Sequence, residues 1–180
     1  SSHVAEYYTF DWASSERINF LSYIKSVDNV VSNLILLLSN LSVSLNLSMD
    51  FSFKDLQNDV KKGQVVSYDE LMSEYIKANP DDKDVLKQLH IPKRVVDFGH
   101  HRYGNYFWAT DFPVKFKQFY CSTRRQGNKE VALASELWWN GIKVASVSFS
   151  DSNYEKTLSR INTLGLTPKN FKVYLNAIKL

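Results

Sequence analysis

Asn140-Gly141 stands between two runs rich in β-branched and aromatic residues, 131–139 and 142–149. A two-residue connection of this kind suits a type I′ turn, where both central residues take positive φ, so the two runs are predicted as a β-hairpin. Three runs of the same character precede it at 95–98, 106–110 and 114–123, and Gly127 centres a longer hairpin loop ahead of residue 131. Together they read as an antiparallel meander over 94–149.

The flanking segments change period. From Phe20, apolar residues recur as Leu21, Ile24, Val27, Val31, Leu34, Ile35 and Leu38, the spacing of one helix stripe, with Ser14 or Ser15 as its cap. Residues 41–53 then alternate strictly, apolar at the odd positions and polar at the even ones, which predicts a long strand. Residues 55–60 read as a short helix ended by Gly63. Ser67 with Glu70 three residues on is a capping box for a helix stopped by Pro80, and a short helix follows at 82–89. Two helices close the chain: 152–164, stopped at Gly165, and one opened by Thr167 with Pro168 as its first residue.

This order predicts an α+β class chain, a single domain over 1–180. A five- to six-stranded antiparallel sheet, the long strand 41–53 plus the meander 94–149, would pack against the N-terminal and C-terminal helices. A composition 44% apolar and 14% aromatic is ample for that core. In topology alone, strand, helices, meander and helix resemble the helix-grip ligand-binding architecture, which implies a cavity for a small apolar ligand. Gly165 and Pro168 interrupt what should then be one long final helix.

Several classes are excluded or disfavoured. The longest apolar stretch, 34–38, is five residues, against the roughly 20 needed to span a bilayer. One cysteine, Cys121, allows no intramolecular disulfide and points to a reducing compartment, the cytoplasm. No GxSxG elbow or phosphate-cradling glycine loop is present, and no cofactor is expected. Ser1, Ser2 and His3 have the look of a tag remnant. Richness in Asn, Ser, Lys and Leu is associated with AT-rich genomes, such as those of viruses and mobile elements.

Three constellations carry candidate chemistry. In Gly99-His100-His101-Arg102-Tyr103-Gly104, read as a turn entering a strand, a histidine can move a proton, Arg102 can neutralise phosphate charge and Tyr103 can donate a hydrogen bond or act as nucleophile. Around it, His90, Asp97 and Asp111 are potential metal ligands without a recognised spacing, so no metal site is expected. Lys115, Lys117, Arg124, Arg125 and Lys129 place five positive charges within 15 residues that hold no acid. Such a basic, aromatic-rich hairpin can neutralise phosphates and stack on bases. Glu136, on a strand beside Trp138, is a candidate general base or a metal ligand near Asp97 or Asp111, or else a surface carboxylate paired with Lys143.

The functional expectation is a nucleic-acid-contacting domain, DNA or RNA, of a small viral or mobile-element protein. If it is an enzyme, it would be a phosphodiester-cleaving nuclease using His100, His101, Arg102, Tyr103 and Glu136. The alternatives are the helix-grip ligand module and a non-catalytic protein-interaction or immunity-type domain.

Overall fold

A computed structural model of the chain describes Asp28, Asn29, Asn33, Asn40, residues 53–88 and residues 90–179. Asp28, Asn29 and Asn33 are helical, as the stripe beginning at Phe20 predicts, and so is Asn40, past the last position of that stripe. The strand predicted over 41–53 lies outside the described residues except for Phe53, which opens a helix instead of closing a strand.

That helix, α1 (Phe53–Lys62), stops before Gly63 and leads into β1 (Gln64–Ser67). Ser67 ends the strand and caps α2 (Tyr68–Ala78), its hydroxyl accepting from the Glu70 N–H at 3.2 Å. Tyr68, Leu71, Met72 and Tyr75 then form the buried stripe of α2. A 3-10 turn (Lys83–Lys87) and α3 (Lys93–Tyr103) bring the chain back to β2 (Tyr106–Pro113). β1 pairs parallel to β2, Gln64 opposite Phe107 and Ser67 opposite Thr110. Parallel neighbours need a long crossover, and α2 with α3 supplies it.

The chain is therefore α+β, but the sheet, with five strands among the described residues, is mixed and not antiparallel throughout. A four-residue strand between two helices offers no alternation long enough to show its period, which is why β1 escapes sequence reading.

The second correction concerns 95–98, predicted as a strand and found within α3. Val95, Val96, Gly99 and Tyr103 are its buried positions, a helical i, i+1, i+4, i+8 stripe that outweighs the β propensity of two valines and a phenylalanine. Pro92 precedes the first turn and Gly104, at φ 99°, ends the helix. The sequence GHHRYG thus closes a helix; it is not a turn between strands.

After β2 the expected strand over 114–123 is a 3-10 turn (Val114–Phe116) and an irregular stretch, and β3 (Thr123–Gln126) begins only at its last residue. Beyond Gly127, β4 (Lys129–Trp139) is the central strand. One of its edges pairs with β2; along the other lie first β3 and then β5 (Ile142–Ser148). Asn140 and Gly141 both take positive φ, 48° and 76°, as the type I′ reading of this hairpin requires. Helix α4 (Tyr154–Thr163), a 3-10 turn (Pro168–Phe171) and α5 (Lys172–Ala177) complete the described chain, with Gly165 at φ 67° between α4 and that turn. No helix among the described residues is long and apolar enough to cross a membrane.

The sheet buries both faces. On one, α2 and α3 pack Leu71, Tyr75, Val95 and Val96 against Phe107, Ala109, Phe112 and Ala132. On the other, Tyr106, Trp108 and Leu137 gather with Val60 and Trp139, and Asp28 accepts from both the Tyr106 hydroxyl (2.7 Å) and the Trp108 indole N–H (2.9 Å).

At Gly99 helix α3 touches the sheet. A Cβ there would lie 2.7 Å from Cζ of Phe107 and 3.3 Å from a Leu71 methyl. Gly99→Ala should improve helix propensity by about 1 kcal/mol yet overpack this contact by about 1–3 kcal/mol. We expect a net loss of stability in urea unfolding; a more stable variant would show that α3 can move off β2 freely.

Candidate nucleic-acid interface

The β3–β4 hairpin and α4 enclose an open groove of about 1020 Å³. Lys115, Arg124, Arg125 and Lys129 reach it from the hairpin side, and Lys156 and Arg160 from the helix. Against these six cations stand Glu130, Asp151 and Glu155. Lys156 and Arg160, four residues apart on α4, fall on the same helix side, and Asn153 caps the start of that helix, its side chain accepting from the Lys156 N–H at 2.9 Å.

The cations differ in their ties. Arg124 forms a two-pronged ion pair with Asp111, Nε to Oδ1 at 3.1 Å and Nη2 to Oδ2 at 2.7 Å. Lys129 reaches Asp69 at 2.8 Å, with both side chains well exposed. Lys115 lies over the Phe116 ring at 5.0 Å. Arg125 and Lys156 make no side-chain ion pair among the described residues. Arg160 donates through Nη2 to the carbonyls of Val114 and Gln118, each at 3.2 Å, and burial pulls its guanidinium below the usual arginine value, opposed by Cys121, Glu130 and Asp151.

Lys117 is set apart. Its side chain is 9% exposed, and its ammonium lies 2.7 Å from Oε1 of Glu136 and 3.6 Å from the centre of the Phe112 ring. The 3-10 turn at 114–116 breaks the strand alternation that would have put Lys115 and Lys117 on one face. Lys117 does not line the groove, and it neutralises Glu136, which Lys143 also approaches at 3.7 Å. A carboxylate held between two ammonium groups is poorly placed to act as a general base.

The GHHRYG residues assemble elsewhere, and none of them lines the groove. Arg102 Nε donates to Glu74 at 2.8 Å and the Tyr103 hydroxyl donates to the same oxygen at 2.9 Å. Arg102 and then Tyr103 hold the Glu74 carboxyl below the usual carboxylate range. Burial, reinforced by Glu74, raises the Tyr103 phenol well above its ordinary value, which keeps it protonated and unsuited to nucleophilic attack. His100 contacts the Asn105 side chain, and its ring stacks on that of His101 with centroids 5.8 Å apart. Asp97 is taken up by Lys93. No group of three or more His, Cys, Asp or Glu able to hold a metal occurs among the described residues.

Glu74, Lys156 and Arg160 are the members sequence reasoning missed. Each lies on the polar side of an amphipathic helix, where nothing in the sequence separates it from an ordinary solvated charge.

The family model for class II tRNA synthetases (D, K and N) matches residues 1–180. Among curated proteins, the aspartate–tRNA(Asp/Asn) ligase of Methanopyrus kandleri is 30% identical over 73 residues, 41% of this chain and 16% of the relative. That of Methanococcus maripaludis is 28% identical over 76 residues, 42% and 17% respectively. Among solved structures, asparaginyl-tRNA synthetase from Pyrococcus horikoshii, complexed with asparaginyl-adenylate, superposes with a TM-score of 0.71 at 19% identity, covering 91% of this chain and 37% of that one. The Entamoeba histolytica asparaginyl-tRNA synthetase gives 0.66 at 17%, covering 90% and 37%. These structural likenesses concern the fold.

The matches overturn the expectation of a viral or mobile-element nuclease, and with it the helix-grip and immunity-type alternatives. The geometry supplies the physical reason. Arg102 and Tyr103 are engaged with Glu74, and among the described residues the mixed sheet is covered by several short helices.

Proposed function

The chain belongs to the class II tRNA synthetase family (D, K and N), and from that premise we propose that it is an RNA-contacting domain whose partner is transfer RNA. The observation that carries the reading is the groove between the β3–β4 hairpin and α4, with its excess of cations. Phosphate neutralisation by such a surface supplies affinity without base readout. Lys115, Arg124, Arg125 and Lys129 form the hairpin side of the contact; Lys156 and Arg160 form the helix side. Lys117 is left out because its charge is spent on Glu136.

The reaction class we attach to the chain is that of its relatives, the joining of aspartate to transfer RNA. The chain spans 16–17% of the length of those relatives, so this assignment is part of the proposal. So is the organisation of residues 1–180 as one folding unit. Cys121, a free and buried thiol, accords with a reducing compartment such as the cytoplasm.

The test is binding of total transfer RNA, followed by fluorescence anisotropy over a range of salt. The affinity should fall linearly on a log–log plot, and Arg125→Ala with Lys156→Ala should lessen the slope by roughly 1.5, two lost phosphate contacts at roughly 0.7–0.9 each. Undetectable binding at low salt, or binding indifferent to salt, would overturn the reading.

A further inference from the structure

Asp111 lies in the middle of β2 with φ 56°, a left-handed conformation that a non-glycine residue adopts only where its surroundings hold it there. The β2–β4 register slips between Thr110 and Phe112, where Asp111 alone stands opposite Leu133 and Ala134, so the extra residue of this bulge belongs to β4 and Asp111 is the left-handed residue facing it. The residue is 6% exposed, and its carboxylate takes both prongs of the Arg124 fork. The Thr110 hydroxyl, 3.4 Å away, supports the same carboxylate. Arg124 itself is half exposed and lines the groove. With Nε and Nη2 bound to Asp111, its Nη1 edge has no protein partner among the described residues.

We infer that Asp111 is a positioning residue: its left-handed backbone, opposite the β4 bulge, aims its buried carboxylate so that Arg124 presents a fixed guanidinium edge to one phosphodiester of an RNA backbone in the groove, with Arg125 and Lys156 as the mobile neighbouring cations. This rests on the RNA-contacting reading above. A long arginine side chain immobilised before the ligand arrives loses little further freedom on binding. Bidentate contact with a carboxylate also leaves the outer N–H groups in one plane, which suits a second planar or tetrahedral oxyanion.

Charge alone and positioning predict opposite signs. Asp111→Asn adds one positive charge to the neighbourhood of the groove, so an account based on field strength expects tighter RNA binding. Positioning expects binding roughly fivefold weaker, the scale of having to immobilise one long side chain on association. Arg124→Lys keeps the charge but cannot make the fork and should weaken binding similarly. In the Arg124→Ala background, Asp111→Asn should cost no affinity, because nothing remains to be positioned.

Anisotropy with a transfer RNA, at fixed salt, measures the wild type and the four variants, and thermal unfolding checks that each is folded. If Asp111→Asn fails to fold, Arg124→Lys against wild type decides the matter, since that change leaves the bulge and the Asp111 carboxylate in place. Wild-type binding with equal or tighter binding by Asp111→Asn, or by Arg124→Lys where the first variant is unfolded, overturns the positioning role and leaves the RNA reading intact. Absence of wild-type binding overturns both.

Discussion

Lys117→Met should destabilise the fold by about 3–5 kcal/mol, because it leaves the Glu136 carboxylate buried without its nearest counter-charge. The two side chains are only 9% and 11% exposed and meet at 2.7 Å, so solvent cannot replace the missing ammonium. Lys143 stands further off at 3.7 Å and is half exposed, which limits what it can supply. For a chain of this size the loss corresponds to a fall in Tm of roughly 10 °C. Two controls separate the buried charge from mere packing. Lys117→Met combined with Glu136→Gln should recover most of the loss, since the uncompensated charge is gone. Lys143→Ala should cost less than about 1 kcal/mol, as an exposed partner does. A Lys117→Met protein within about 0.5 kcal/mol of wild type in chemical unfolding would show that the pair is open to water.

Phe107→Ala should cost about 3–5 kcal/mol, the range for deleting a fully buried aromatic ring. Phe107 is 1% exposed and stands on the central pair β2–β4, with Trp138 opposite it across the ladder. Its ring meets Tyr103 at 6.0 Å between centroids and fills the space left by the missing Cβ of Gly99. The cavity would open at the junction of α3 with the sheet, where Val95 and Val96 are wholly buried and cannot easily collapse inward. The same contact predicts a coupling: Phe107→Leu should relieve part of the damage of Gly99→Ala, because a shorter side chain makes room for the added methyl. Strict additivity of the two changes in urea unfolding would mean that the helix and the ring do not share this space.

These predictions fall on features that sequence reading reached unequally. Asn140-Gly141 was decisive because positive φ at two consecutive positions is a property of those residues themselves. Ser67 with Glu70 works in the same way, one hydroxyl serving an N–H three residues on. The concentration of positive charge over 115–129 is likewise visible in composition, although its use is not.

The failures share a different cause. Val95, Val96 and Phe98 have the β propensity of a strand, yet their environment is a helix face packed on Leu71 and Phe107, and packing overrides an intrinsic preference worth less than about 1 kcal/mol. β1 is four residues, too few to display a period, and it pairs with β2 only because α2 and α3 bring the chain back alongside it.

Charge partners follow the same division. Glu74 lies 28 residues from Arg102, Asp111 lies 13 from Arg124, and Lys117 lies 19 from Glu136. Each pairing depends on a helix-to-helix contact, a bulge or a sheet register, so the residue types on their own could not say which lysine would be buried and which would face the groove. What the sequence alone determined about this protein is its local geometry: turns, caps, the main strands and most of the described helices, all set by interactions within about four residues. The tertiary structure decided the parallel strand, the helix at 93–103, the removal of Lys117 from the basic surface and the addition of Lys156 and Arg160 to it. Those outcomes depend on which distant segments share a face, and in a close-packed interior that is settled by the fit of the whole chain.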